Sequence, residues 1–111
     1  MINKVTLDIG IKDQTKEVTI EYSVPSAQDA LEIQRATTEL SYKEENDPLK
    51  EYQLALGVLI SHLKTVDGEE LPDNEARKTA YLEERLGIYA INYISTEIYS
   101  SRMLGKFPAK G

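Results

Sequence analysis

The segment HLKTVDGEELPD, residues 62–73, concentrates the side chains that are best suited to acid–base or metal chemistry. It holds the single histidine of the chain, His62, and then the carboxylates Asp67, Glu69, Glu70 and Asp73. A histidine beside carboxylates can transfer protons or bind a metal ion. The same residue types are also typical of a segment in which one helix ends, a turn follows and a second helix begins. The spacing of the residues distinguishes these two interpretations.

The spacing of the carboxylates does not fit a calcium loop. An EF-hand loop needs oxygen ligands at alternate positions, a central glycine and a final glutamate. Here Gly68 directly follows Asp67, and Pro72 stands one residue before the last acid. We therefore interpret the run as the end of one helix, a turn at Gly68 and the N-terminus of the next helix.

His62 lacks the local partners that a catalytic or metal-binding histidine needs. The residues one helical turn away are apolar or weakly polar: Val58, Leu59, Thr65 and Val66. Its neighbour Ser61 points in another direction on a helix, so the two do not form a nucleophile–base pair. The sequence selects no distant serine to replace it. We expect a polar residue at a helix flank, and no catalytic site, no metal site and no cofactor.

Composition excludes several classes of protein. The chain has 111 residues, within the size range of one domain, and its apolar and charged fractions, 41% and 29%, are ordinary for a globular protein. Its net charge of −6 argues against binding to nucleic acid or to anionic membranes. There is no cysteine, no phosphate-binding glycine loop, no apolar stretch long enough to cross a bilayer and no signal peptide. We expect a single soluble domain over residues 1–111, located in the cytoplasm.

The N-terminal part of the chain predicts a β-hairpin over residues 4–24. Apolar residues alternate with polar ones in two runs, one from Val5 to Ile11 and one from Val18 to Val24. Strict alternation is typical of strands that are buried on one face only. An isolated hairpin is marginal in water, so we expect helices to cover its apolar face.

Three helices are predicted to follow, which makes the fold α+β and mostly helical. The first runs over about 26–41 with Ser26 as its N-cap. The second runs over about 48–66, with Asp47 and Pro48 marking its start. The third runs over about 73–104, and its length without internal breakers is unusual for a small domain. Gly87 is expected to mark a kink in it.

The last predicted helix is apolar on most sides and rich in tyrosine. Tyr89 and Tyr93 lie four residues apart on one face, and Ile94 and Ile98 lie on others. A two-layer domain cannot easily cover all these faces, and tyrosine is enriched at interfaces. Plain core packing would explain the same pattern. The alternative hypothesis is that Tyr89, Tyr93, Ile94 and Ile98 bind a partner protein or another subunit.

This layout resembles the short tail assembly chaperones of long-tailed bacteriophages. The resemblance is carried by the N-terminal hairpin, the helix within SAQDALEIQRATT, the segment DPLKEYQLALGVLISHLKTVDGEEL and the helical C-terminal part, over roughly Val5 to Ile98. These motifs are patterns of apolar positions and a turn, without a catalytic signature. The C-terminal helix is longer and richer in tyrosine than is usual in that family.

The resemblance implies a non-enzymatic function in the host cytoplasm. Such chaperones bind the tape measure protein, a long helical protein, and keep it soluble while the tail tube assembles around it. Many of these chaperones are also made in a longer frameshifted form whose extension contacts the tail tube protein. Independently of the resemblance, a chain this short buries a modest fraction of its surface, so we expect a homo-oligomer. Two alternatives stay open: a structural or adaptor subunit of a phage tail or connector, and a small acidic chaperone of the secretion type. An enzyme that uses His62 and the neighbouring acids is a third class, which the missing partners disfavour.

Overall fold

The computed structural model describes residues 1–42 and 47–104 of the chain. The elements in chain order are β1 (Ile2–Ile11), β2 (Gln14–Ser23), α1 (Ala27–Tyr42), α2 (Pro48–His62), β3 (Leu63–Val66), β4 (Glu69–Glu70), α3 (Glu75–Arg85) and α4 (Ile88–Met103). The described strands form one antiparallel sheet in the order β1-β2-β3-β4. The predicted α+β class is confirmed, but the number of helices and strands differs from the prediction.

One face of the sheet is apolar and is covered by helices. Its buried side chains come from alternate positions of the long strands and from the ends of β3: Ile9, Ile11, Val18, Ile20, Tyr22, Leu63 and Val66. They share one core with residues of the helices, including Leu59, Leu82, Ile91, Ile94 and Ile98. The opposite face carries exposed polar residues such as Lys4, Thr6 and Asp8. The hairpin thus has the helical cover that its alternating pattern predicts.

A tight two-residue turn sets the register between β1 and β2. Ile11 pairs with Gln14, so β1 and β2 are joined by the two residues Lys12 and Asp13, which both have positive φ. Positive φ at both central residues is the geometry of a type I′ turn, whose twist suits a two-residue hairpin. β2 therefore begins earlier than the alternating run from Val18 to Val24 indicates, because Gln14 already belongs to the strand.

The prediction that the second helix extends to residue 66 is wrong. α2 ends at His62, and residues 63–70 form a second hairpin whose two-residue turn is Asp67-Gly68, again with positive φ at both positions. β3 pairs with β2 through a β-bulge, in which Tyr22 faces Leu63 but Glu21 faces Thr65. The bulge places Leu63 and Val66 on the same buried face, and this three-residue spacing imitates a helical one.

The predicted last helix is in fact two helices. α3 begins after the N-cap Asn74, whose side-chain oxygen accepts a hydrogen bond from the backbone N–H of Arg77 at 3.2 Å. It ends at Arg85, and α4 begins at Ile88 after Gly87, which has a φ of 85°. A glycine adopts this left-handed conformation at little cost, whereas a helix cannot pass through it. Gly87 therefore separates two helices where the sequence predicted a kink.

The predicted N-termini of the first two helices are confirmed. Ser26 Oγ accepts a hydrogen bond from the backbone N–H of Asp29 at 3.1 Å, at the start of α1. Asp47 caps α2 by accepting from the N–H groups of Leu49 and Lys50, with Pro48 at the first helical position. Each cap satisfies backbone donors that the first helical turn leaves unpaired.

Two glycine-to-alanine variants test the role of Gly87. In Gly87→Ala the new side chain meets no atom within 4 Å, so the positive φ alone is strained, and the free energy of unfolding should fall by about 1 kcal/mol or more. Gly57→Ala is the matched control, because Gly57 lies within α2 with equally open space around it, and this variant should gain about 0.5–1 kcal/mol. Urea unfolding of the two variants measures the difference. Equal effects of the two substitutions would contradict this account of the break between α3 and α4.

Candidate functional site

The four residues predicted to bind a partner lie on α4, but on opposite sides of it. Ile94 and Ile98 are completely buried in the core. Tyr89 and Tyr93 are 65% and 41% exposed. Core packing, the other explanation that the sequence left open, accounts for the two isoleucines, because their side chains are enclosed in the core. The partner hypothesis therefore rests on the two exposed tyrosines.

The exposed residues at the start of α4 form a small apolar surface, which we call the tyrosine patch: Ile88, Tyr89 and Tyr93. The ring centroids of the two tyrosines are 6.4 Å apart with an interplanar angle of 31°, a normal distance for an aromatic pair. Ile88 beside them is 63% exposed. Ile88 was not among the residues predicted to bind a partner, although its place directly after Gly87 was a signal that it begins a new helix.

The tyrosine patch is held in place by the break at Gly87 and by the end of β1. The ring of Tyr89 lies against Gly10: a β-carbon at that glycine would be 3.6 Å from the Tyr89 ring. A small cavity of about 310 Å³ opens here, lined by residues of the β1–β2 turn and of the α3–α4 break, among them Lys12, Leu86 and Ile88. The patch therefore adjoins the outer edge of the sheet.

A second apolar surface is the groove between α1 and α2. It has a volume of about 660 Å³ and is wide open to solvent. Ile33 and Ala36 from α1 face Leu54, Gly57 and Val58 from α2, while acidic residues of α1 and the side chains of Ser61 and His62 border it. Apolar floors with a few polar groups at the rim are suited to binding a peptide or helix.

His62 has a polar partner that the sequence did not reveal. The Oγ of Ser23, at the end of β2, lies 3.1 Å from Nδ1 of His62 and donates more weakly to the His62 carbonyl oxygen at 3.4 Å. The two residues are 39 positions apart, and no local pattern connects them. Partial burial lowers the pKa of His62, while the charge of Asp29 and the backbone of Ser23 oppose that shift.

The contact between Ser23 and His62 differs from the arrangement of a hydrolytic site. Such a site needs a third group that is hydrogen-bonded to the other ring nitrogen and orients the imidazole. Within residues 1–42 and 47–104 no carboxylate is hydrogen-bonded to that nitrogen of His62. The bond between Ser23 and His62 instead fastens the end of β2 to the end of α2, next to the bulge in β3.

Two carboxylates of the opening segment, Asp67 and Glu69, connect the second hairpin to β2 and to α3. Asp67 Oδ1 accepts from the backbone N–H of Thr19 at 2.9 Å, and the Asp67 N–H donates to the Thr19 carbonyl at 2.7 Å. Glu69 accepts from the hydroxyl of Tyr81 at 2.9 Å, and Arg85 lies within 4 Å of both acids. No group of three metal-binding side chains occurs in the described residues.

Two tyrosines outside the patch have perturbed acidity. Burial and the hydrogen bond to Glu83 raise the pKa of Tyr52 to about 12. Burial and the bond to Glu69 raise the pKa of Tyr81 in the same direction. Both hydroxyls stay protonated near neutral pH and donate to a carboxylate on another element, so they connect α2 to α3 and α3 to the second hairpin.

Comparison with known proteins provides no relative. The chain matches no protein-family model, no curated protein sequence and no solved structure. Among the described helices, none combines the length and the apolar character that a membrane crossing requires.

Substitutions on the two sides of α4 separate core from surface. Ile94→Ala removes a completely buried side chain, so the free energy of unfolding should fall by about 2–5 kcal/mol. Tyr93→Ser changes an exposed position and should stay within about 0.5 kcal/mol of the parent. Denaturant unfolding gives both values. A small loss for Ile94→Ala would mean that this isoleucine is available to a partner after all.

His62 should make the stability of the domain depend on pH. Because the pKa of His62 is lower in the folded state than its usual 6.5, the unfolded chain binds the proton more tightly. The stability that neutral His62 contributes is fully present above pH 6.5. It is lost as the pH falls below 6.5, until the pH has passed the pKa of His62 in the folded state. His62→Asn keeps a hydrogen-bonding atom near the position of Nδ1 and removes the titration. The difference in stability between parent and variant should therefore change as the pH falls through and below about 6.5. A difference that is independent of pH would contradict the lowered pKa.

Proposed function

We propose that this protein is a non-enzymatic binding protein that recognises an apolar segment of another protein through the tyrosine patch. The observation that carries the proposal is the exposure of Ile88, Tyr89 and Tyr93 side by side at the start of α4. Single exposed apolar residues are common, but a cluster of two tyrosines and an isoleucine has the composition of an interface anchor. The groove between α1 and α2 supplies a second apolar surface for an elongated partner.

The resemblance in sequence gives the proposal its particular form. We infer a phage tail assembly chaperone that works in the host cytoplasm, binds the tape measure protein and keeps it soluble until the tail tube encloses it. A helical client presents apolar side chains three and four residues apart, and these can pack on tyrosine rings and in an open groove. The net charge of −6 favours this use, because like charges oppose non-specific association of chains that carry an exposed apolar surface.

The use of the polar side chains also supports a function without catalysis. His62, Asp67 and Glu69 each have a partner that holds two elements of the fold together. The tyrosine patch contains no acid, base or nucleophile other than two phenol groups. Binding is therefore the chemistry for which the exposed side chains of α4 are suited.

Co-expression tests the proposed client. The parent chain, expressed together with a tape measure protein from the same genome, should increase the soluble fraction of that protein, and the double variant Tyr89→Ser/Tyr93→Ser should lose most of the gain. In a binding assay the dissociation constant should rise at least about tenfold, as expected for the loss of two aromatic anchors. Leu31→Ser/Leu49→Ser is the matched control, because it removes two exposed apolar side chains elsewhere and should leave binding unchanged.

The result also separates a chaperone from a structural subunit. A chaperone leaves when the tail is complete, so mass spectrometry of purified particles should not find this chain. Its presence in stoichiometric amount would favour a tail or connector subunit instead. Solubility of the long helical protein that is the same with the parent and with the tyrosine variant would refute the assignment of the patch.

A further inference from the structure

β1 is a long strand at an open edge of the sheet. It has ten residues, and within the described part of the chain its one neighbour is β2. Its register with β2 is continuous from Ile2 to Ile11, without a bulge, and it contains no proline. Proteins usually protect such edges with bulges, prolines or very short strands, because an exposed edge pairs readily with another strand.

The hydrogen bonds between β1 and β2 show which residues of β1 direct their backbone groups towards the open edge. The backbone N–H of Val24 donates to the carbonyl of Met1 at 2.9 Å, so residue 1 directs its carbonyl towards β2. In an antiparallel pair every second residue is hydrogen-bonded, and the two-residue turn after Ile11 requires the same phase. Odd-numbered residues of β1 therefore bond to β2, and the N–H and C=O groups of the even-numbered residues point outwards. At this edge the N–H of Lys4 donates to the side-chain oxygen of Asn3 at 3.1 Å, a bond that would be exchanged for one to a paired strand.

We propose that the open edge binds the same edge of a second copy of this chain, with the two-fold axis at Thr6. A symmetric antiparallel pair joins even-numbered residues to even-numbered ones, and the register centred on Thr6 places Lys4 opposite Asp8 of the second copy, twice per dimer. A register centred on Lys4 or on Asp8 places like charges opposite each other. Registers centred on Val5 or Leu7 leave both charges without an opposite partner.

The position of Asp8 in the single chain supports this pairing. Across the β1–β2 ladder Asp8 lies directly opposite Glu17, and like charges at such positions are destabilising. Lys4, by contrast, lies opposite Glu21. Among the described residues no cation lies within 4 Å of Asp8. Lys4 of the second copy would supply the missing positive charge on the same face of the sheet.

The same register also covers apolar side chains. Val5 and Leu7 project to the helix-covered face but are only half-buried, because β1 lies at the rim of the sheet. In the proposed dimer Val5 faces Leu7 of the second copy at a close, non-hydrogen-bonded position. Ile2, which is 49% exposed, falls opposite Gly10 of the second copy, where Tyr89 borders the strand. The charge pairs, the backbone hydrogen bonds and the apolar contacts thus all favour the register centred on Thr6.

Disulfide trapping tests the register directly, since the chain has no cysteine of its own. Residue 6 faces itself across the axis at a Cα separation of about 5.5 Å, within the range of a disulfide. Thr6→Cys should therefore form a covalent dimer on mild oxidation. Thr19→Cys is the matched control: Thr19 is the β2 neighbour of Thr6, with hydroxyls 2.8 Å apart, but it is not at the edge and should stay monomeric on a denaturing gel.

Mixed variants add a second readout of the same geometry. Lys4→Cys and Asp8→Cys should each cross-link poorly alone and should form a disulfide with each other when mixed. Efficient self-linking of Lys4→Cys, or equal linking of the Thr6 and Thr19 variants, would overturn the proposed register.

Charge variants test whether the pairing is present in the unmodified chain. Sedimentation of the parent should show a reversible dimer, and Asp8→Lys should weaken it about tenfold by placing two lysines opposite each other. Glu17→Lys changes the net charge equally and relieves the same repulsion within the hairpin, yet it should leave the dimer intact. Lys4→Asp/Asp8→Lys exchanges the charges and should restore dimerisation. A parent chain that is monomeric at every concentration, or equal effects of Asp8→Lys and Glu17→Lys, would overturn the proposal.

Discussion

The packing of α4 on the apolar face of the sheet is the contact on which the rest of the structure depends. α4 supplies Ile91, Ile94 and Ile98 to the core and contacts β1, α1 and α2. A buried isoleucine contributes roughly 1.5–3 kcal/mol by removal from water, so three of them are a large share of the stability of a small domain. The positive φ of Gly87 changes the direction of the chain, so α4 does not continue along the axis of α3. That same break exposes the tyrosine patch at the start of the helix.

Helices and strands whose characteristic residues are close together in the chain were predicted correctly from local patterns. The alternation in the first two strands, the Ser26 cap and the Asp47-Pro48 start of α2 all rest on neighbours in the chain, and the structure confirms them. The second hairpin was missed because a bulge gives Leu63 and Val66 the spacing of a helix. Its Asp-Gly turn was a usable signal, since this dipeptide favours type I′ hairpins.

The candidate site residues also divide into those that local spacing could identify and those that depend on residues distant in the chain. Spacing within the chain correctly placed Tyr89 and Tyr93 on one face of a helix, but could not tell which side of α4 would meet the sheet. Ile94 and Ile98 were assigned to a partner for that reason. The partner of His62 comes from Ser23 on a distant strand, and the edge position of β1 depends on the strand order. Neither is readable from one sequence without the tertiary fold.

The central claim is that α4 and the inner face of the sheet hold the domain together, while the edge of β1 is left to bind another chain. Residue-resolved hydrogen exchange at low and high protein concentration tests both parts at once, because exchange reports local opening and pairing. The account predicts that amides of Ile91 to Ile98 are among the slowest at both concentrations. It also predicts that Thr6 and Asp8 become protected only at the high concentration. Fast exchange of these two amides at every concentration, or of α4 before the strands, would contradict it.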